Sequence, residues 1–299
     1  MKQWMAMCLA LAWLSAGAQE ADGLAATLSG GHTTYIVQTG DSLTAIGARF
    51  GVDAVVLARA NKLRYDEPLQ PGWLLQIDNR HIVPRGPRDG LFINLPQRML
   101  FYFEAGEPAA AYPVGLGRPD WPTPTGAFKI VLKEENPVWD VPVSIQEEMR
   151  REGKTVITRM PPGPENPLGR YWLGLSIPGY GIHATIAPSS IYQFRSHGCI
   201  RMHSDDIAAL FTRIEEGARG EIIYAPVLLA RLADGRIFLE VHRDVYKKGG
   251  NPLKRTHELA AAAQIEHLID WEKVAHIVQQ KEGLAREITL PAPTRESTP

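Results

Sequence analysis

Cysteine is nearly absent. The 299 residues contain two, and Cys8 lies in an N-terminal apolar run that reads as a secretion signal. Cys199 then has no partner in the mature chain, which excludes an internal disulfide framework. No apolar stretch reaches the ~20 residues that a bilayer span needs. The run from Trp4 to Leu14 follows Lys2 and precedes Ala16-Gly17-Ala18, the pattern of a signal peptide over 1–18 that is cleaved on export. Excess charge of one sign is also missing: 32 Lys and Arg face 33 Asp and Glu, for a net charge of −1. That removes the electrostatic case for nucleic acid or an acidic membrane surface. No repeat or low-complexity tract is present. The nine histidines show no ligand spacing with a cysteine or acidic partner beyond the Cys199 region, so neither a metal nor a cofactor is expected.

What is present favours turns and strands. There are 27 glycines and 23 prolines, more than a helical bundle would carry. The length suggests about two domains as a prior.

The chemistry concentrates in Ser196-His197-Gly198-Cys199-Ile200-Arg201. A lone cysteine is commonly a small buried hydrophobe, but this one sits among groups that activate thiols. Gly198 permits a sharp turn and leaves room beside the sulfur. His197 and Arg201 would draw the thiol pKa from about 8.5 towards neutrality. Upstream, Gly181-Ile182-His183-Ala184-Thr185 offers a second histidine as a base for the thiol. A papain-like arrangement is excluded by order, because there the cysteine precedes the histidine.

His183, twelve intervening residues and then Ser196-His197-Gly198-Cys199-Ile200-Arg201-Met202 resemble the active-site signature of the bacterial cell-wall L,D-transpeptidases. The turn Pro122-Thr123-Pro124-Thr125-Gly126 fits the same family. The resemblance implies a mixed, mainly β catalytic domain of the L,D-transpeptidase sandwich or barrel type over 90–229. It implies Cys199 as nucleophile and His183 as base, with His197 orienting the site or binding a substrate carbonyl or carboxylate; the two histidine roles could be exchanged. Ser196, Gly198, Arg201 and Tyr180 would form the substrate and oxyanion surroundings, with backbone N–H groups near 197–199 as oxyanion donors. For Arg201, pairing with a substrate carboxylate and a structural salt bridge both stay open. Ala184 departs from the Gly or Ser common after the histidine.

The substrate implied is peptidoglycan. Cys199 would attack the bond between the diamino acid and D-alanine of a tetrapeptide stem and pass the acyl group to an amine. A 3–3 crosslink or attachment of an outer-membrane lipoprotein would result. Water as acceptor would make an L,D-carboxypeptidase, and a third alternative is a non-catalytic wall-binding protein. The location implied is the periplasm, at the cell wall.

Tyr35-x-Val37-x-x-Gly40-Asp41-Ser42-Leu43-x-x-Ile46-x-x-x-Phe50-Gly51 resembles a LysM module, a small α/β strand-helix-helix-strand unit over 34–78 that binds N-acetylglucosamine-containing glycans. Ser42 or Asp41 should cap its first helix, Gly51 should end it, and Asp53 should cap the second. Residues 20–31 read as a flexible leader and 79–89 as a linker. The stretch 134–169, with a helix over 144–152 and a proline-rich end, is a candidate lid. The strands 221–224 and 227–229 should finish the catalytic sheet. The extension 230–299 should hold a hairpin at Asp234-Gly235, one helix over about 257–280 and a disordered tail from Pro291.

Overall fold

The computed structural model describes residues 24–291, so the expected signal peptide and nearly all of the expected tail lie outside the described residues. The chain starts with β1 (Thr27–Ser29) and β2 (His32–Ile36). Next come α1 (Leu43–Phe50) and α2 (Ala54–Ala60), then β3 (Leu74–Asp78), which returns antiparallel to β2 with Tyr35 opposite Leu75. Local chemistry sets these boundaries. Ser42 Oγ accepts the Ala45 N–H at 3.2 Å, Asp53 Oδ1 accepts that of Val55 at 3.0 Å, and Gly51 closes α1 in the left-handed region at φ 71°. Leu43, Ile46, Leu57, Leu75 and Ile77 fill the small core, each buried side chain contributing roughly 1.5–3 kcal/mol.

The segment expected as a linker instead carries β4 (His81–Val83), buried throughout and paired antiparallel with β1. The expected leader is likewise structured from Leu24, which is buried with Ala25 against the C-terminal extension. Three-residue strands are too short to show a period, and what holds these two is burial against distant chain.

Then follow β5 (Gly90–Asn94), β6 (Met99–Glu104), β7 (Glu107–Pro113), β8 (Leu116–Gly117) and β9 (Gly126–Glu135). The insertion holds β10 (Trp139–Asp140), α3 (Val143–Arg151) and β11 (Arg159–Met160). After it come β12 (Tyr171–Leu175), β13 (Gly181–His183), β14 (Phe194–Ser196), β15 (Ile200–Arg201), α4 (Ser204–Arg213) and β16 (Arg219–Ile223). One mixed eight-stranded sheet runs β15-β13-β12-β9-β16-β5-β6-β7, with β13–β15 and β16–β5 parallel. Its core includes Leu91, Ile93, Leu100, Ile130, Leu173, Ile182 and Ile200, closed by Ile207 and Leu210 of α4.

β16 is the last strand of the chain to join this sheet, between β9 and β5. β17 (Val227–Arg231), expected to finish it, pairs with β18 (Ile237–Val241) in a separate sheet completed by β19 (Arg286–Glu287). The Asp234-Gly235 turn does join β17 to β18. The single helix expected over 257–280 is two, α5 (Pro252–Ala262) and α6 (Trp271–Gln280). Asn251 caps the first and Asp270 the second, while Gln264 at φ 58° breaks the path between them. The apolar stripe misled because Ile265, Leu268, Trp271, Val274 and Ile277 all pack into one cluster regardless of the break.

The fold brings together a set of ligand-type side chains that sequence spacing did not reveal. His81, Glu240 and His242 come together from β4 and the β18 end, all buried, with potential ligand atoms within 4.8 Å of one another. Their contacts form a hydrogen-bonded knot around Glu240. Its Oε1 faces His81 Nδ1 at 2.8 Å and His242 Nε2 at 2.7 Å and accepts from Gln97 Nε2 at 3.1 Å, while Oε2 accepts the Ile82 N–H at 2.5 Å.

Candidate active site

The alternation Gly-Ile-His and Cys-Ile-Arg organises the site. β13 and β15 are parallel neighbours with Ile182 opposite Ile200 and His183 opposite Arg201. Successive side chains on a strand point to opposite faces. Ile182 and Ile200 therefore enter the core, where both are fully buried. His183, Arg201 and Cys199, one residue ahead of β15, share the other face and line one cleft of 1240 Å³. The insertion, a neighbouring loop and β12 supply aromatic and apolar walls, among them Trp121, Trp139, Met149 and Trp172.

Cys199 is half-buried, with Sγ 3.8 Å from the Gly179 carbonyl oxygen. Burial pushes its thiol pKa up, against the opposing pull of a Gly181 backbone hydrogen bond and the Arg201 charge. Activation of the resting thiol towards neutrality, expected from His197 and Arg201, is thus overturned by desolvation. His183 is buried and stacked on Trp172, with ring centroids 5.7 Å apart. Burial first, and the Arg201 charge second, lower its pKa to about 4 despite backbone hydrogen bonds at Ala184 and Pro167. Its Nδ1 is buried with no hydrogen-bond partner. Both shifts favour the uncharged forms, a neutral imidazole at His183 and a protonated thiol at Cys199.

Arg201 Nη1 donates to Ser190 Oγ at 3.3 Å, and its backbone pairs twice with Gly115 at 2.8 Å. Among the ion pairs of the described residues none involves Arg201 and a carboxylate, so the structural salt bridge is not found. Gly198 takes φ 105°, and a Cβ there would lie 2.6 Å from the Tyr180 ring. Gly198→Ala should therefore lower thiol acylation at least about tenfold, by strain and by displacing Tyr180. Rates of acylation compared with wild type check it, and an unchanged rate would show that the loop tolerates the methyl.

The Gly198 N–H, expected as an oxyanion donor, is already engaged: it donates to Ser196 Oγ at 3.1 Å. Ser196 Oγ donates onward to the Cys199 carbonyl at 2.5 Å. Ser196 thus braces the nucleophile turn from within. His197 lines the same cleft as His183. Its Nε2 meets Glu148 Oε2 of α3 at 2.5 Å, and Trp121 packs edge-on at 4.5 Å between centroids.

Several participants went unread in the sequence. Thr123 Oγ1 donates to the Gly198 carbonyl at 2.8 Å. Tyr246 of the extension holds that turn, its hydroxyl donating to the Gly117 carbonyl at 2.5 Å and accepting the Thr123 N–H at 3.2 Å. Tyr224 and Asp244 secure Tyr246 in turn. Thr123 had a signal, the Pro-rich turn, but Tyr246, Glu148 and Trp172 had none, because their partners are far away in sequence.

Comparison with known proteins agrees in two regions. Residues 88–227 match the model of the L,D-transpeptidase catalytic domain, and residues 35–78 match that of the LysM domain. The probable L,D-transpeptidase YcfS of Escherichia coli K12 is 30% identical over 227 residues, spanning 74% of this chain and 71% of that one. The probable L,D-transpeptidase ErfK/SrfK of Salmonella typhimurium LT2 is 30% identical over 233 residues, 75% of each chain. Among solved structures, an L,D-transpeptidase from Mycobacterium tuberculosis H37Rv aligns over 50% of this chain and 64% of that one, at 17% identity and a TM-score of 0.36.

Proposed function

The chain belongs to the L,D-transpeptidase family, and from that premise we propose that Cys199 and His183 carry out acyl transfer on peptidoglycan stems. The supporting observation is the placement of Cys199 and His183 on one sheet face, with the buried His183 Nδ1 making no hydrogen bond within the protein. Cys199 Sγ attacks the carbonyl between the diamino acid and D-alanine while His183 takes the thiol proton. The carbon–nitrogen bond breaks, the proton passes to the departing D-alanine amine, and a thioester remains. An acceptor amine then attacks the thioester, and the sulfur leaves and regains a proton. Arg201, with no internal carboxylate, holds a carboxylate of the stem. Tyr180 flanks the nucleophile turn as a wall of the substrate site.

The LysM-like unit binds the glycan strands and brings the catalytic cleft to the sacculus. Residues 1–18 direct export to the periplasm. The acceptor is a second stem, giving a 3–3 crosslink, or a lysine of an outer-membrane lipoprotein.

The test is incubation of the mature chain with a disaccharide-tetrapeptide. Intact-protein mass spectrometry should show the acyl adduct, and D-alanine should appear in the medium. Offering a second stem, a lysine-ended lipoprotein peptide, a D-amino acid and water in competition then names the acceptor. Sacculus binding with neither adduct nor D-alanine would leave a glycan-binding protein alone.

A further inference from the structure

The helix that walls the cleft is held by very little. α3 buries none of its residues, and Pro142 at its start offers no capping side chain. A nine-residue helix without a buried face gains little from packing. Among the hydrogen bonds and ion pairs of the described residues, α3 reaches beyond the insertion through one side chain, Glu148. Its Oε2 meets His197 Nε2 at 2.5 Å, and its Oε1 accepts from Arg118 Nη2 at 2.6 Å.

Both groups it grips belong to the framework of the nucleophile turn. Arg118 follows β8, whose partner is β14, and its backbone N–H donates to the Ser196 carbonyl at 3.0 Å. Asp120 steadies the guanidinium at 3.0 Å. Arg118 first, then His197, hold the Glu148 carboxyl below its usual range, so it is ionised at neutral pH and can only accept. His197 must then carry hydrogen on Nε2, while Trp121 limits rotation of the ring from its other side.

We infer that Glu148 is a positioning residue for the acyl transfer: one carboxylate orients His197 and clips α3 over the cleft, so that the closed cleft and the oriented histidine are a single state. This rests on the acyl-transfer reading, in which the stem enters beneath α3. When α3 lifts to admit substrate, His197 loses its orienting partner, and closure restores it together with the wall.

Glu148→Ala and Glu148→Gln test the inference with three readouts. In Glu148→Ala, kcat for D-alanine release should fall about 10–100-fold with KM changed far less. Long-range proton–nitrogen NMR should show His197 passing from one Nε2–H form to a mixture. Iodoacetamide should alkylate Cys199 several-fold faster, because α3 no longer stays down. Glu148→Gln keeps an acceptor for His197 but loses the charge that grips Arg118, and should lie between. A merely structural helix contact would change alkylation and leave kcat and the His197 form untouched, and that result would overturn the proposal. So would unchanged alkylation. If the wild type releases no D-alanine, the acyl-transfer reading has failed, whereas the NMR and alkylation readouts still decide on the clip.

Discussion

Cys199→Ala should give a folded protein that still binds sacculi and releases no D-alanine from a tetrapeptide stem, a loss of at least about 10³-fold. The thiol makes only weak sulfur contacts, with Gly179 O at 3.8 Å and with the Gly181 backbone, so thermal stability should change little on its removal. Activity and stability thus separate, which distinguishes a nucleophile from a packing residue. His183→Gln should cost a comparable factor. The double variant should be little worse than either single one, because the two residues act on one proton and one bond. Additive losses would indicate that the residues serve different steps.

The pH dependence follows from the same pair. With its pKa at about 4, His183 is neutral and able to accept a proton from that value upward. The acid limb of kcat/KM, which reports the free enzyme, should therefore fall near pH 4 and not near the ordinary 6.5. Arg201 is one cause of that depression. A stem carboxylate paired with Arg201 would offset its charge and make His183 a stronger base in the complex. The acid limb of kcat should then lie above that of kcat/KM. Coincident limbs would separate Arg201 from substrate binding. Stability carries a matching signature. Between pH 6.5 and about 4 the unfolded chain binds a proton at His183 that the native state refuses. Stability falls as pH drops through that window, by about 3 kcal/mol in all.

Legibility in the sequence tracked the distance of the cause. Ser42, Gly51 and Asp53 act within four residues of themselves, so the LysM-like helices were readable to their ends. The pair of tripeptides around Ile182 and Ile200 carried its own alternation, and the thiol and imidazole were readable with it. The state of that thiol was not. Charge neighbours can be read from sequence, whereas burial is a property of the whole fold, and burial decides the sign at Cys199. Glu148 reaches His197 across 49 residues and Tyr246 reaches Gly117 across 129. No local pattern encodes either contact. The presumed linker failed for the same reason, since its three-residue strand is explained by Glu240, some 158 residues later.

Glu240→Ala should be the most destabilising single change, about 3–5 kcal/mol by the usual cost of breaking a buried charged network. Glu240 is fully buried and receives the Ile82 N–H, Gln97 Nε2, His81 and His242. Truncation leaves the Ile82 N–H, His81 Nδ1 and His242 Nε2 without this partner in the buried interior, while Gln97 Nε2 keeps the Ile82 carbonyl. Burial alone would raise the Glu240 pKa, but the His81 charge and the hydrogen bonds from His242 and His81 hold it at about 2. Its pKa is depressed from 4.5, so its contribution is present above pH 4.5 and drains away as pH falls towards 2. Denaturant titrations at pH 7 and pH 3 should differ more for wild type than for Glu240→Ala, and equal differences would remove Glu240 from the acid response. The knot also decides how the chain unfolds. His81 Nε2 lies 2.8 Å from the Gly51 carbonyl at the end of α1, Gln97 stands between β5 and β6, and His242 follows β18. One carboxylate therefore joins the LysM-like unit, the catalytic sheet and the extension. Wild type should melt in one transition, and Glu240→Ala should split it, the LysM-like unit separating from the catalytic sheet. A single, merely lowered transition would mean that the Arg49–Asp205 pair at 2.6 Å and its neighbours suffice to hold the two together.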